Sequence, residues 1–479
     1  MSASRRPTRR ESADPLVAAF LTRAHEAPGW PLVLSPSRTV TAGEVHAIAD
    51  ALAVRLDALA FPAASVVGLA VPDGPGFLAG LVAIRLAGHA ALLLDAQAPA
   101  VERAARADAL GAAAVLTSAT GWPPSPDAFA LETRVAAPRV LPEIAIVKLT
   151  SGSTGAPRGV AVSVAAALAD ESQLFATMGL REDDRLLATV PWSHSYGFTT
   201  LVLSALVRGL PLVVPEDRAL LAAPLHAAEV CAATVFPTAP AYLTPWVGLS
   251  APPALPASVR LVISAGATLA PATAERFRRR HGQPVHTFYG SSECGGICYD
   301  QRGDAAERGT VGTPVRGVAL ALVPVDGREA GDGLIVVRSP AVATRYLPEG
   351  DARLGDGRFE TADIGRLVDD EVAIVGRASQ VINVRGRKVN PSEVEQVIRR
   401  LADVDDVVVV GLPQADGGEV VRAVVAGRAA AISDEAVRLW CRSHLAAHKV
   451  PRSIVLVPAI RYTARGKVDT GWLAGLGEH

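Results

Sequence analysis

The sequence predicts an α/β fold: a large N-terminal domain of parallel α/β sheets with a small β-rich subdomain, then a C-terminal α+β domain. Three observations predict it. Short, wholly apolar segments alternate with helical stretches between residues 66 and 263, the sign of parallel strands buried on both faces. From about Val311 short alternating strands follow one another, separated by Gly and Asp. After Arg377 about one hundred residues mix strands and helices, enough for a domain of their own.

Residues 1–14 carry four arginines with no apolar run behind them, so they read as a disordered tail and not a secretory signal. The large domain is expected over 15–376. Leu16, Ala19, Phe20 and Ala24 share one face of a helix over 15–26. Thr41 with Glu44 forms a capping box that opens a second helix, ending near Leu59. Strands at 66–71 and 90–94 flank a helix at 75–86, which Gly88 ends. Further strands are expected at 113–116, 185–190, 211–215, 233–236, 259–263 and 285–288. The β-rich subdomain, 311–376, has strands at 334–338, 365–368 and 372–375. A hinge is expected near Ser379. The terminal domain, 377–479, reads as strand 381–385, helix 391–402, strands 406–412 and 419–426, helix 433–447 and strand 453–457.

Composition excludes several classes. The chain has 479 residues, too many for one core. Its net charge of −1 argues against nucleic acid as a partner. Half the residues are apolar, but each apolar run is broken by charge, Pro or Gly before it could span a bilayer. Four cysteines without a second pair or a nearby His give no zinc site, and reduced thiols fit a cytoplasmic protein.

The run from Lys148 to Val160 is the most informative. Seven of its residues are Gly, Ser or Thr. Glycines let amide N–H groups converge in one concavity, which favours phosphate, and Arg158 adds a fixed positive charge. The spacing of Gly152 and Gly155 is too close for a Walker loop, and 159–163 alternates like a strand. The expectation is a phosphate-binding hairpin. Four more clusters follow strands: Pro191 to Gly197, Ser264 to Ala267, Tyr289 to Glu293, and Thr361 to Asp363 with Gly376 and Arg377. In parallel sheets ligands sit at the carboxyl ends of strands, so these clusters are placed to share one pocket. Near the end, Lys467 and Asp469 lie in a polar, loop-like stretch.

In order and spacing these motifs resemble the adenylate-forming superfamily of acyl-CoA synthetases, adenylation domains and firefly-type luciferases, over residues 15–472. The resemblance implies a reaction: a carboxylate attacks the α-phosphorus of ATP, giving an acyl-adenylate and pyrophosphate, and the acyl group then passes to a thiol. It implies that Thr150, Ser151, Gly152, Ser153, Thr154, Gly155 and Arg158 hold the β- and γ-phosphates. Glu293, with Thr154 close by, would hold Mg²⁺. Tyr289, within Tyr289, Gly290, Ser291 and Ser292, would stack on adenine, with Gly266 and Ala267 leaving room for the base. Asp363 would accept from both ribose hydroxyls and Arg377 would support the sugar or its phosphate. Lys467 would bridge carboxylate and α-phosphate. The C-terminal domain would be mobile, swinging Gly386 in to pass a pantetheine arm, and His194 would sit near the acyl carboxylate. Read alone, Asp363 also suits a turn cap, Gly386 an ordinary turn and His194 a helix start.

Departures from the pattern are Arg158 for Lys, Ala362 for Gly, Ser379 for Asp or Lys, and Thr470 for Arg. The stretch 191–197 lacks the Asp that pairs with an amino-acid ammonium, so a fatty or aryl acid is expected. Its pocket would be lined by Trp192, Ser195, Tyr196, Phe198, Thr238, Ala239, Tyr242, Ser264, Ala265, Gly295 and Ile297. The acceptor is expected to be coenzyme A. The alternatives are the phosphopantetheine of an acyl carrier protein and, in another class, a non-catalytic nucleotide-binding protein.

Overall fold

The computed structural model describes residues 14–476 except 124, 135–137, 152–156, 218–221, 326–330, 378–381, 385–386, 390, 414–418, 428–431, 446 and 464–467. Two large mixed sheets form its body. In the seven-stranded sheet, strands Val66–Ala70, Ala90–Leu93, Ala114–Ser118 and Ile144–Ser151 run parallel. Antiparallel strands close it: Phe129–Thr133 on one side, Pro157–Ser163 and Arg345–Leu347 on the other. The nine-stranded sheet is parallel through Leu212–Val213, Leu186–Leu187, Val235–Thr238, Leu261–Ser264 and His286–Ser291. It then turns antiparallel at Gly295–Tyr299. The sheets are therefore parallel only in their centres, where strands such as Val66–Ala70 and Ala90–Leu93 are apolar along their length. Their margins are antiparallel: the pairing of Ile144–Ser151 with Pro157–Ser163 is the expected hairpin, whereas those of Phe129–Thr133 and Gly295–Tyr299 were not foreseen.

Asp14, which sequence analysis placed in the tail, instead caps helix Pro15–Glu26 by accepting from the Leu16 amide at 3.0 Å. The other local signals act as expected. The Thr41/Glu44 capping box opens helix Ala42–Asp57, with the Glu44 carboxylate accepting from the Thr41 amide at 2.7 Å. Helix Pro75–Leu86 buries ten of its twelve residues, which explains why it is apolar all round. Helix Ala42–Asp57 packs against it. The strand expected over 185–190 is only Leu186–Leu187.

The β-rich region is a five-stranded antiparallel sheet: Ala319–Pro324, Gly333–Arg338, Arg358–Val368, Leu354–Gly355 and Glu371–Arg377. Its Glu371 is 4% exposed and takes hydrogen bonds from Arg302 at 2.7 Å, Arg308 at 2.6 Å and Thr310. Burial alone would raise this carboxyl, but Arg308, Thr310 and Arg302 bring it down to about 2. The folded value lies below the unfolded one, so the stabilisation is complete above about pH 5 and is lost as pH falls towards 2. Glu371→Gln should cost about 3 kcal/mol in urea unfolding at neutral pH, and the gap to the parent chain should narrow at pH 3.

The C-terminal residues have their own core. Val394, Ile398, Val407, Val409, Val421, Val425 and Val437 form a buried cluster made only of residues beyond Ile382. Strands Val404–Pro413, Glu419–Gly427 and Ser453–Val457 form its sheet, and helices Pro391–Arg399 and Asp434–His444 cover it. Among the described residues two polar links join it to the body. Gln396 Nε2 donates to the Ile374 carbonyl at 3.0 Å, and Arg276 pairs with Asp405 at 3.0 Å.

Candidate active site

The phosphate-loop flanks form the expected hairpin. Strands Ile144–Ser151 and Pro157–Ser163 pair antiparallel, with Thr150 opposite Arg158 and Ser151 opposite Pro157. Gly152, Ser153, Thr154 and Gly155 lie outside the described residues, as do Ser379, Gly386 and Lys467. Arg158 is half-buried over the Tyr346 ring, 3.9 Å from its centroid, and pairs with Asp351 at 3.3 Å. Tyr346 reaches this place because strand Arg345–Leu347 pairs with Pro157–Ser163. Its hydroxyl donates to Glu293 Oε1 at 3.0 Å. Burial, then the Glu293 carboxylate, pushes the Tyr346 phenol well above its ordinary value, so it remains a donor. The chain Asp351–Arg158–Tyr346–Glu293 thus joins the phosphate loop to the carboxylate expected to hold Mg²⁺. Sequence reading missed Tyr346, since no local motif marks it.

Tyr289 and Asp363 are also brought together. The Tyr289 hydroxyl donates to Asp363 Oδ2 at 2.7 Å, across 74 positions of sequence. Tyr289 stands on the outer parallel strand His286–Ser291, and Asp363 on Arg358–Val368 opposite Arg377. Gly290, Ser291 and Ser292 carry the chain on to Glu293, and the Ser291 hydroxyl accepts from the Glu293 amide at 3.2 Å. Gly266 and Ala267 are exposed in the turn after Leu261–Ser264. Gly266 has φ +86°, a conformation that glycine adopts without strain.

Between these groups lies a row of hydroxyls. Thr238, Ser264 and Thr287 are partners in register on three neighbouring parallel strands. Each hydroxyl is buried and has no hydrogen-bond partner among the described residues. A buried orphan hydroxyl costs about 1–3 kcal/mol, so such a row is suited to a polar ligand at the strand ends. Sequence analysis assigned Thr238 and Ser264 to the acyl pocket and overlooked Thr287.

The acyl-pocket candidates fall on two faces of the sheet, not one. Phe198, Ala265 and Ile297 belong to one core cluster, with Tyr196 packed against it. Phe236 and Val262 belong to another, with Tyr242 packed against that one. Thr238 and Ser264, two residues further along the same strands, fall on this second face by alternation. Trp192 is wholly buried, edge-on to Phe77 with centroids 5.8 Å apart, and serves the core. Helix Ser195–Gly197 opens after His194, whose carbonyl accepts from the Phe198 amide at 2.7 Å. Tyr196 donates to the Ile263 carbonyl at 3.0 Å, fixing the start of this helix against the sheet.

Sequence analysis also passed over Lys148. It is 4% exposed and donates to Ser195 Oγ at 3.0 Å. Burial lowers the ammonium pKa, opposed by Asp170. Asp170, itself pushed up by burial, accepts from Thr199 Oγ1 at 2.8 Å and the Gly296 amide at 3.0 Å.

A model of AMP-binding enzymes matches residues 20–347, and one of the AMP-binding enzyme C-terminal domain matches 393–467. The chain belongs to the AMP-binding enzyme family. It is 31% identical over 368 residues to a methyl-dioxo-octahydroindenyl-propanoyl:CoA ligase of Mycobacterium tuberculosis, covering 73% of this chain and 69% of that one. It is 29% identical to a long-chain-fatty-acid–CoA ligase of the same species, covering 67% and 65%. The chain thus spans about two thirds of the length of the curated relatives it matches. ATP-bound MatB from Rhodopseudomonas palustris superposes with a TM-score of 0.80 at 22% identity, covering 95% of this chain and 98% of that one, a likeness of fold. Among the described residues no helix is long and apolar enough to cross a membrane.

In this AMP-binding enzyme, Asp363→Ala should raise the KM for ATP about 10- to 100-fold, the worth of a charged hydrogen bond. Tyr289→Phe, which removes only the hydroxyl, should raise it less. Steady-state kinetics with varied ATP checks both.

Proposed function

We propose that the chain is an ATP-dependent acid–thiol ligase. It would activate a fatty or aryl carboxylic acid as the acyl-adenylate, release pyrophosphate, and transfer the acyl group to coenzyme A. The observation that carries the reading is the Tyr289–Asp363 contact at 2.7 Å, which joins the proposed base platform to the proposed ribose acceptor. The relatives named above are CoA ligases, which supports the same reaction class.

The residues have separable tasks in this proposal. Tyr289 presents a ring to adenine, and the hydroxyls of Thr238, Ser264 and Thr287 offer hydrogen bonds beside it. Asp363 accepts from the ribose hydroxyls. Thr150, Ser151 and the 152–155 loop, with Arg158, hold the outer phosphates. Glu293 fits a hard divalent cation: its carboxylate is half-buried and Tyr346 fixes one of its oxygens. Bound Mg²⁺ would neutralise phosphate charge that otherwise repels the incoming carboxylate. Lys467 is proposed to bring a cation to the α-phosphate, and Gly386 to admit the thiol arm. That exchange needs a movable C-terminal domain. The polar links found among the described residues suit it: Arg276–Asp405 is a half-exposed ion pair, worth about 0–1 kcal/mol, and Gln396 adds one neutral hydrogen bond, worth about 0.5–1.5 kcal/mol.

The test is a panel of aliphatic and aryl acids assayed for pyrophosphate release with and without CoA. Acid-dependent release that CoA accelerates is expected. Tight ATP binding without release for any acid would indicate a non-catalytic nucleotide-binding protein. Acceleration by a holo carrier protein and not by CoA would move the acceptor to phosphopantetheine.

A further inference from the structure

Segments that carry the site meet at one buried pair of opposite charges. Lys148 lies on strand Ile144–Ser151, two residues before Thr150, and is 4% exposed. Asp170 lies on helix Val164–Thr177, which begins where strand Pro157–Ser163 ends, and is 3% exposed. Asp170 is the strongest charge acting on Lys148, ahead of Glu293, and Lys148 is the strongest acting on Asp170. Each charge is answered by the other, and each then reaches a different part of the site. Lys148 Nζ donates to Ser195 Oγ at 3.0 Å, in the turn that follows His194. Asp170 Oδ2 accepts from Thr199 Oγ1 at 2.8 Å, on the helical stretch that continues this turn. Asp170 Oδ1 accepts from the Gly296 amide at 3.0 Å, three residues past Glu293. Gly295 lets the chain pass this close: its φ is +68°, and a Cβ there would stand 2.2 Å from Asp170 Oδ1.

Apolar side chains of similar volume would fill such a place without loss of stability, and often with a gain. They could not fix the distances between elements as well, because hydrogen bonds are directional and apolar burial is not. We propose that Lys148 and Asp170 are positioning residues for adenylate formation: Asp170 holds the Glu293 turn, and Lys148 the His194 turn, in set places relative to the phosphate loop. The metal carboxylate, the acyl wall and the loop are thereby indexed to one buried pair. Neither residue touches a reactant; both act through neighbours of groups that do. The proposal rests on the ligase reading, in which Glu293 holds the cation of ATP.

The experiment measures Mg²⁺-dependent ATP binding by titration calorimetry, with thermal melting alongside. It uses the full-length chain, Asp170→Leu, Lys148→Met and the double variant. Asp170→Leu and the double should raise the half-saturating Mg²⁺ concentration about 10-fold or more, the scale of a lost support behind a metal ligand. Lys148→Met leaves the Asp170–Gly296 bond in place and should raise it less. ATP affinity at saturating Mg²⁺ should stay within about threefold of the parent throughout, because the Tyr289–Asp363 contact shares no hydrogen-bond partner with the pair. The double should lose less in melting temperature than the two single losses added, since it leaves no buried charge unanswered. An unchanged Mg²⁺ requirement in Asp170→Leu and the double overturns the proposal and makes the pair a core contact only. Melting losses that simply add overturn it too. Where Asp170→Leu does not fold, Thr199→Val decides: it keeps both charges and nearly the same shape, removes one bond to Asp170, and should raise the half-saturating Mg²⁺ about threefold. No change there overturns the proposal. The titration needs no turnover, so absence of pyrophosphate release with every acid overturns the ligase reading, while the Mg²⁺ result still decides the role of the pair.

Discussion

Glu293→Gln will slow acid-dependent pyrophosphate release by on the order of 10²–10³-fold, the usual loss when one electrostatic stabiliser leaves a site. The substitution keeps size and shape, so Tyr346 still finds an oxygen to donate to. What is lost is the negative charge proposed to bind the metal. Raising the Mg²⁺ concentration should therefore recover part of the rate, whereas a folding defect would not respond to the metal. Tyr346→Phe keeps the charge but frees the carboxylate to rotate, and should cost about 10- to 100-fold. Its contribution is distinct because Tyr346 also presents its ring to Arg158 at 3.9 Å. Steady-state rates at several Mg²⁺ concentrations separate the two effects. A Glu293→Gln enzyme with unchanged rate at every concentration would remove Glu293 from the chemistry.

Lys467→Ala will reduce adenylate formation by a comparable factor, on the order of 10²–10³-fold. Thioester formation from preformed acyl-adenylate should remain near the parent rate. The distinction follows from the proposed division of labour: this cation serves the first half-reaction only. Lys467 lies outside the described residues, but its surroundings are ordered by specific contacts. Tyr462 and Val468 form a bridge, and the Asp469 amide donates to the Arg461 carbonyl at 2.9 Å. Asp469 then caps helix Thr470–Gly475 through the Trp472 amide at 3.0 Å. Single-turnover assays started from acid plus ATP, and separately from the adenylate, check the prediction. Equal losses in both would refute the division of labour.

The body of the fold was legible because its signals are local. Val66–Ala70 is apolar throughout, Thr41 and Glu44 sit at capping-box spacing, and helix Pro75–Leu86 lies at the limits expected. The hairpin around the phosphate loop was legible from alternation after Gly159. Strand Gly295–Tyr299 was not, because its Gly-Gly start has little strand character; pairing with Phe288 to Ser291 supplies what the sequence lacks. The site was legible only in parts. Tyr289, Glu293 and Asp363 stood out in motifs, but the Tyr289–Asp363 and Glu293–Tyr346 contacts span 74 and 53 positions, beyond any local period. Side-chain alternation at the strand ends sends Thr238 and Ser264 to the face opposite Ala265, a division that listing small residues could not reveal. Lys148 was hidden because a lysine beside a glycine-rich loop is usually solvated, and only the fold buries it.

One arrangement at the phosphate loop has a consequence for nucleotide selection. The Arg158 guanidinium already has an occupant, Asp351, which Arg353 also grips at 2.7 Å. If Arg158 holds the outer phosphates as proposed, an arriving triphosphate competes with a carboxylate, and what it gains is the difference between two ion pairs. Asp351 surrenders little in that exchange, since Arg353 stays with it and is the largest influence holding its carboxyl below the usual range. The swap is thus nearly balanced at the start and tips only for a ligand with more charge than one aspartate can supply. On the proposed role a monophosphate has no outer phosphate to set against Asp351, so spent nucleotide would be let go while fresh nucleotide is retained.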